Sequence, residues 1–229
     1  MRQANPEKNL IIKIDGKEYA RYPVKTHLIT PDDKDPVETI CKYAKNVVQK
    51  GDIVFVSEKV IAVMQGRSYQ IDKIKSSKIA TKLSKYVYKN PAGIGLAIPE
   101  TMQLAIEEAG LLRILFAAFA AAITKPFGIK GMFYRVAGDK ARSIDGPVPY
   151  AIPPYNNYAS KGPINPKKIA KNISAKINVP VAIVDANDLG VRILGASKGV
   201  DKKLLAKILK DNPLGQSDEC TPIGIVREL

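Results

Sequence analysis

Apolar and polar residues alternate along this chain with two different periods, which predict strands and helices in turn. Short apolar runs predict strands at residues 9–13, 24–29, 53–63, 181–184 and 222–226. Helical spacing of the apolar residues predicts helices at residues 36–50, 76–88, 166–177 and 201–210. Asp35-Pro36 and Asn165-Pro166 each place a capping residue before a proline in the first turn of a predicted helix.

The middle of the chain has a different pattern from both ends. Helical spacing continues over residues 99–124, first with one apolar face and then with apolar residues on all sides, in LLRILFAAFAAAIT at residues 111–124. Such a helix must be buried, either in the core of a lobe or in a subunit interface. It is too short for a bilayer span, which needs about 20 residues, and it lacks the polar face of a helix anchored on a membrane surface. Residues 128–158, rich in glycine, proline and tyrosine, are typical of a binding loop.

The order of these segments predicts the fold class. Strands and helices alternate near both ends, and a helical and loop-rich section lies between them at about residues 99–160. This order predicts an α+β fold with two intertwined lobes rather than a doubly wound sheet. At 229 residues, 45% of them hydrophobic, the chain is long enough to bury a full core. We therefore expect residues 1–229 to form a single domain.

The net charge of +14 predicts an anionic partner, because a field of that sign concentrates nucleotides, phosphoesters or polyglutamates. Most of the lysines follow the spacing of solvated helix faces. The chain has no tryptophan and no zinc-finger or RNA-recognition motif, which disfavours nucleic acid as the partner. His27 is the only histidine, so a zinc site built from histidines is excluded. The lack of a secretory signal, and two unrelated cysteines that we expect to stay reduced, predict a cytoplasmic protein.

Polar side chains follow two apolar runs near the C-terminus. Asp185 closes the run at residues 181–184, and Asn187, Asp188 and Gly190 come soon after it. Residues 212–219 form a second turn rich in oxygen-bearing side chains. Carboxylate and amide oxygens are the ligands that hard cations prefer, so both turns are candidate metal or phosphate sites. For Asp185 the alternative is an aspartate that caps a turn at the end of a strand.

Three further segments, together with Asp185 and its turn, carry a resemblance to a known family. They read Leu-Gly-Gln-Ser-Asp-Glu at residues 214–219, before Thr-Pro and a strand; Gly-Asp-Ile-Val-Phe-Val-Ser-Glu-Lys-Val at residues 51–60, closed by Gln-Gly-Arg; and Tyr-Pro-Val-Lys-Thr-His-Leu-Ile at residues 22–29. This set resembles the coenzyme F420-0:γ-glutamyl ligase family, which adds glutamate to a deazaflavin cofactor using GTP. The resemblance extends from about residue 23 to residue 227.

The resemblance implies a GTP-dependent ligase that forms a C–N bond, requires Mg²⁺ or Mn²⁺ and works as a homodimer. It assigns no catalytic side chain, because activation of a carboxylate as an acyl phosphate requires no side-chain nucleophile. Metal ligands are implied at Asp185, at Gln216 and at one aspartate of the central section, either Asp139 or Asp145. Nucleotide contacts are implied at Thr26, His27, Leu28, Ile29, Glu58, Lys59, Leu214, Gly215, Gln216, Ser217, Asp218, Glu219, Cys220 and Thr221.

Two departures from the family pattern concern the substrates. Ala62-Val63 stands where the family has a Ser-Lys pair, and the turn after Asp185 has neither the hydroxyl nor the tryptophan of the family. We therefore predict a phosphorylated, cofactor-like acceptor that need not be the deazaflavin. The alternative is a basic protein on the same fold that binds a nucleotide or nucleic acid without turnover.

Overall fold

The computed structural model of the chain describes residues 3–87, 95–129, 131–187, 190–215 and 218–229. Its contacts divide the chain into two units. The sheet unit combines Met1–Gly66 with Pro163–Leu229, and the helical unit is Arg67–Gly162. The predicted α+β class is confirmed. The sheet unit contains a six-stranded sheet together with helices, and the helical unit contains a separate sheet of two strands.

The strands and helices have the following bounds. The strands are β1 (Ile11–Ile14), β2 (Lys17–Val24), β3 (Ile53–Ser57), β4 (Ser68–Gln70), β5 (Tyr158–Ser160), β6 (Val181–Asn187), β7 (Gly190–Ala196) and β8 (Ile223–Glu228). The α-helices are α1 (Pro36–Ala44), α2 (Glu58–Met64), α3 (Lys78–Ser84), α4 (Pro99–Ala109), α5 (Leu111–Thr124), α6 (Met132–Ala137), α7 (Asp139–Arg142), α8 (Pro166–Ile177) and α9 (Lys202–Ile208). Short 3₁₀ turns lie at Ile71–Lys73, Lys125–Phe127 and Tyr155–Asn157.

The sheet unit is built on a mixed sheet with the strand order β1-β2-β8-β3-β6-β7. Only the β3–β6 pair is parallel among the described neighbours, and the other pairs are antiparallel. Val181 to Val184 in β6 are all buried, as expected for a strand covered on both faces. On one face Phe55, Ala182 and Val184 pack against Leu205 and Ile208 of α9. Helix α8 packs against β6, β7 and α1.

Local signals located several helices correctly. The Asp35 carboxylate accepts hydrogen bonds from Val37 N (2.8 Å) and Glu38 N (3.1 Å) at the start of α1, as the Asp-Pro pair predicted. The predicted helix at residues 166–177 is confirmed as α8. Its Asn165 differs from the prediction, since the side chain makes no capping hydrogen bond and the residue instead adopts a left-handed backbone with φ of 51°.

Two predicted strands were wrong, and one strand was not predicted. The apolar run at residues 53–63 is not one strand, because β3 ends at Ser57 and α2 begins at Glu58. The buried face of α2 is as apolar as a buried strand, so periodicity could not separate the two. The strand expected at residues 24–29 ends at Val24 as β2, and the strand β7 was not foreseen.

The middle section also departs from its prediction. The helix expected over residues 99–124 is broken at Gly110, whose φ of 90° separates α4 from α5. The expected loop at residues 128–158 contains α6 and α7. Helix α5 buries Ile114 and Ala117 in the core of the helical unit but exposes its other large apolar side chains, so burial on all sides within one lobe is excluded. None of the helices in the described ranges has the length and apolar character that a bilayer crossing requires.

Gly195 marks a close approach between β7 and α8. A Cβ atom at Gly195 would lie 2.3 Å from the backbone N of Lys167 and 2.4 Å from the backbone C of Pro166. Neither atom can rotate away, so we expect Gly195→Ala to lower the free energy of unfolding by about 2 kcal/mol, measured by denaturant titration. The control is Gly16→Ala, which has open space around it and a φ of 86°, and should cost only about 1 kcal/mol of backbone strain. Equal losses in the two variants would contradict the steric explanation.

Candidate functional site

Four strand ends lie side by side at one edge of the large sheet. In the register of the sheet Val24 pairs with Ile223, Ile223 pairs with Val56, and Ser57 pairs with Val184. The carboxyl ends of β2, β3 and β6 therefore meet the amino end of β8 at the same edge. From β2 to β6 there are three inter-strand spacings, a span of about 14 Å, which is comparable with the length of an extended nucleotide. We call this the strand-end edge.

The strand-end edge brings together segments that are far apart in the sequence. Residues 26–29 follow β2, Glu58 and Lys59 follow β3, Asp185 lies near the end of β6, and Cys220 and Thr221 precede β8. Thr26 N donates a hydrogen bond of 2.8 Å to Cys220 O, which ties the first of these segments to the last. The structure thus collects in one unit four of the segments that the resemblance assigned to nucleotide or metal.

Asp185 and Glu58 occupy equivalent positions on two neighbouring segments. Because Ser57 of β3 is paired with Val184 of β6, the next residue along each segment is an acid: Glu58, the first residue of α2, and Asp185 of β6. Strand β6 continues to Asn187, so Asp185 is a residue inside the strand and does not close it, contrary to the prediction. Asp188, which the sequence also singled out, lies outside the described residues. Two carboxylates at one sheet edge fit the preference of Mg²⁺ or Mn²⁺ for oxygen ligands.

The Asp185 carboxylate is half-buried and has two polar neighbours on the β6–β7 hairpin. Its Oδ1 accepts a hydrogen bond of 3.1 Å from Asn187 Nδ2. Its Oδ2 lies 3.7 Å from Nη1 of Arg192, which is the residue directly opposite in the β6–β7 register. Arg192 was not among the predicted site residues. The signal that could have found it is the basic residue on the strand after the turn, facing a carboxylate across a hairpin.

His27 is held through both ring nitrogens. Its Nδ1 is 2.5 Å from the Tyr43 hydroxyl of α1, and its Nε2 is 2.9 Å from Asp33 Oδ1. Because a carboxylate only accepts, the neutral ring carries its proton on Nε2 and its Nδ1 accepts from Tyr43. Asp33 Oδ2 also accepts a hydrogen bond from Thr30 N at 2.9 Å. These bonds fasten the loop of residues 26–33 to α1, with Thr26 and Ile29 buried and Leu28 partly buried.

The loop that leads into β8 is clamped by a residue near the N-terminus. Asn5 Nδ2 donates to Leu214 O (2.7 Å) and to Thr221 Oγ1 (2.7 Å), and Thr221 Oγ1 donates to Leu214 O (3.0 Å). Asn5 and Thr221 are both buried. Within the loop, Asn212 Nδ2 donates to Gly215 O at 3.2 Å. Sequence patterns gave no signal for Asn5, because its partners are more than 200 residues away.

The predicted residues of this loop are only partly described. Gln216 and Ser217 lie outside the described residues, so their assignment as metal and nucleotide ligands stays a prediction. A Cβ atom at Gly215 would lie 2.6 Å from Glu219 Oε1, which means that the Glu219 carboxylate packs directly over this glycine. Asp218 is exposed, and Cys220 is a free, partly buried thiol with a φ of 53°.

Asp139 and Asp145 belong to the helical unit. Asp139 is the first residue of α7 and lies 3.8 Å from Nη1 of Arg142. Asp145 exchanges two backbone hydrogen bonds of 2.9 Å with Ser160, and its side chain is exposed. Neither environment distinguishes a metal ligand, so the choice between the two stays a prediction. Across the described ranges no group of three or more His, Cys, Asp or Glu side chains is arranged to hold a metal ion.

Comparison with known proteins decides the family. A model of the family described as F420-0:Gamma-glutamyl ligase matches residues 23–201, well over half of the 229 residues. The chain belongs to the F420-0:γ-glutamyl ligase family. None of the curated proteins that were compared with the chain matches it. The predicted family is thereby confirmed, and membership implies a ligase that forms C–N bonds.

The match to the F420-0:γ-glutamyl ligase family covers most of the strand-end edge. It includes residues 26–29, Glu58, Lys59 and Asp185, and also Asp139 and Asp145. It ends before the loop of residues 212–221. That loop reaches the edge through the pairing of β8 with β2 and β3, which is an observation of this structure alone.

Proposed function

We propose that the protein is a γ-glutamyl ligase that uses GTP and Mg²⁺ or Mn²⁺ to join glutamate to a phosphorylated, cofactor-like acceptor. The observation that carries the proposal is the strand-end edge, where the register collects residues 26–29, Glu58, Asp185 and Thr221 in one unit. Family membership supports the ligase class, and the edge supplies a surface of suitable length and chemistry for a nucleotide. We also propose that the enzyme is a homodimer, as the resemblance implies.

The residues of the edge have complementary tasks in this proposal. Asp185, with Glu58 beside it, holds the divalent ion, which when bound neutralises phosphate charge during transfer. Arg192, next to Asp185, is placed to bind a phosphate oxygen, because a guanidinium pairs with phosphate through two parallel hydrogen bonds. The loop of residues 26–29 presents backbone groups to the nucleotide, and its attachment to α1 through His27 keeps that surface ordered.

The basic composition supports an anionic acceptor. Lysine and arginine exceed aspartate and glutamate by 36 to 22, and a field of this sign raises the local concentration of phosphorylated substrates. The same field would also attract nucleic acid, but such binding weakens steeply with salt because it depends on counterion release. Turnover, rather than binding alone, therefore tests the proposal.

The experiment measures phosphate release from GTP in the presence of Mn²⁺, L-glutamate and coenzyme F420-0. We expect release that requires all four components, with a product heavier by one glutamyl residue in mass spectrometry. Matched reactions with ATP in place of GTP, and with a chelator, test the nucleotide and the metal. Stabilisation by GTP in thermal unfolding without any product would instead support the non-catalytic binding protein. Oligonucleotide binding that persists at physiological salt would support the same alternative.

A further inference from the structure

Asn5 holds together the two ends of the loop at residues 214–221. Its Nδ2 donates to Leu214 O (2.7 Å) and to Thr221 Oγ1 (2.7 Å), and Thr221 Oγ1 donates to Leu214 O (3.0 Å). Together these bonds close a ring, which we call the Asn5 clamp. A further acceptor, Pro213 O, lies 3.3 Å from Nδ2. Because Leu214 O and Pro213 O are backbone carbonyls, the amide nitrogen of Asn5 and not its oxygen must face the loop.

The loop adopts a conformation that its own residues do not favour. Cys220, the residue before Thr221, has a φ of 53°, in the left-handed region that few residues other than glycine and asparagine adopt. Such a conformation persists where contacts with the rest of the protein hold it. Asn5 and Thr221 are both buried, so the loss of the clamp leaves carbonyl groups of the loop without partners unless the loop moves. The clamp therefore determines the shape of this loop.

We propose that Asn5 is a positioning residue for the nucleotide, and that it acts by holding the loop of residues 214–221 in its binding conformation. The proposal rests on the proposed function, because the resemblance to the family assigns this loop to the nucleotide. The clamp also reaches the nucleotide segment that follows β2, since Thr26 N donates a hydrogen bond of 2.8 Å to Cys220 O, next to Thr221. Segments that are ordered before the nucleotide arrives do not have to be ordered when it binds, which increases the affinity.

The clamp joins two parts of the chain that lie outside the family match. The match covers residues 23–201, whereas Asn5 precedes it and the loop follows it. The role of Asn5 therefore depends on the contacts in this structure and is not carried over from the family. A second contact joins the same regions, because Lys8 Nζ donates to Asp211 O at 3.0 Å. That contact is exposed, so water competes with it, and the buried Asn5 is the stronger attachment.

Isothermal titration calorimetry of GTP binding in the presence of Mn²⁺ tests the proposal. We expect Asn5→Ala to raise the dissociation constant of GTP by about 10-fold, the factor that corresponds to the net contribution of one hydrogen bond. The matched control is Asn172→Ala, which removes the same side chain from an exposed position on α8 and should bind GTP with wild-type affinity. Without nucleotide, amide hydrogen exchange in residues 214–221 should be faster in Asn5→Ala and unchanged in the control. Circular dichroism verifies that each variant is folded.

A pair of variants at Thr221 keeps the test decisive if Asn5→Ala does not fold. Thr221→Val lacks the hydroxyl and so breaks two bonds of the clamp, whereas Thr221→Ser keeps them. We expect Thr221→Val to weaken GTP binding by about 10-fold. Thr221→Ser should retain wild-type affinity, a recovery that packing of the threonine methyl group alone would not produce. In the double variant of Asn5→Ala and Thr221→Val the two effects should not add, because both substitutions break the same ring.

The outcomes distinguish a failure of this proposal from a failure of the proposed function. If the wild type binds GTP and the affinity is unchanged in Asn5→Ala and Thr221→Val, the role of Asn5 is overturned and the ligase proposal stands. Faster exchange in the loop without a loss of affinity has the same meaning, because the clamp then stabilises only the fold. Additive effects in the double variant would also overturn the role, since the two side chains would then act independently. A wild type that does not bind GTP would refute the proposed function and the role of Asn5 together.

Discussion

Asp185→Asn is expected to leave the sheet unit folded and to weaken metal-dependent GTP binding by at least about 100-fold. Asparagine has the same shape as aspartate, so the side chain still fits beside Asn187. The substitution removes the negative charge of the carboxylate, which strengthens its binding of a divalent ion over that of a neutral amide. The lost pairing with Arg192, whose atoms are 3.7 Å away, should reduce the free energy of unfolding by less than about 1 kcal/mol.

Isothermal titration calorimetry of GTP binding, with and without Mn²⁺, measures the effect. The control is Asp15→Asn, which removes the same charge from an exposed residue of the β1–β2 turn that is paired with Lys207. Asparagine tolerates the φ of 49° at this position, so we expect Asp15→Asn to bind GTP with the same affinity as the wild type. Wild-type affinity in Asp185→Asn would exclude Asp185 as the metal ligand. Equal affinity of the wild type with and without Mn²⁺ would exclude the metal requirement itself.

The second large effect is expected at a buried ion pair, where Asp211→Ala should lower the free energy of unfolding by about 3 kcal/mol. The Arg21 side chain is fully buried in β2 and donates from both Nη1 and Nη2 to the Asp211 carboxylate. Nη1 also donates to Ile208 O (3.0 Å) and Nη2 to Asn9 O (2.5 Å). Removing Asp211 leaves a guanidinium in the core without its counter-charge. Because the Asp211 side chain is partly exposed, we expect the loss of unfolding free energy to be near the lower end of the range measured for broken buried ion pairs.

The same pair predicts a dependence of stability on pH. Burial raises the pKa of the Asp211 carboxyl, but the hydrogen bonds and charge of Arg21 outweigh it, so the pKa lies below its usual value. A carboxyl with a lowered pKa contributes stability above its unfolded pKa of about 4. The contribution is lost as the pH falls through the folded pKa. Urea titrations between neutral and acidic pH should therefore show a smaller acid destabilisation in Asp211→Asn than in the wild type.

Glu228→Ala is the matched control for Asp211→Ala. Glu228 pairs with Lys17 at 2.7 Å, but both side chains are at least half exposed. An exposed pair contributes little to stability, because water and salt screen its charges, so Glu228→Ala should lower the free energy of unfolding far less than Asp211→Ala does. If Glu228→Ala and Asp211→Ala lower the free energy of unfolding equally, then the burial of Arg21 does not explain the strength of its pair with Asp211.

Local sequence patterns correctly predicted those elements that are specified by residues close together in the chain. Helix α8 was predicted at its observed bounds, since Pro166 marks its start and its apolar residues recur at helical spacing. The cap at Asp35 was predicted for the same reason. The apolar run at residues 53–63 shows the limit of this information. A short apolar run fits a buried strand and a buried helix equally well. Only the tertiary structure, in which α2 packs against β3 and β6, shows that the second half of this run is a helix.

The candidate site was predicted as separate segments and not as a surface. Its residue types and its resemblance to the family could be recognised in the chain, including Asp185 and residues 26–29. Their place along one edge depends on the pairing of Val24 with Ile223 and of Ser57 with Val184, which join residues more than 120 positions apart. Arg192, Asn5 and the His27–Asp33 contact were missed, because side-chain partners across strands and loops leave no periodic trace.

For this protein, then, the sequence by itself determined the α+β class, the family and most helices, because periodicity, caps and motifs act between near neighbours. Only the tertiary structure decided which ends of the strands share an edge and which charges, such as Arg21, are buried. It also decided that α5 buries one side and exposes the other. The physical reason is that register, burial and charge pairing are set by contacts between distant parts of the chain, whose energies no local pattern contains.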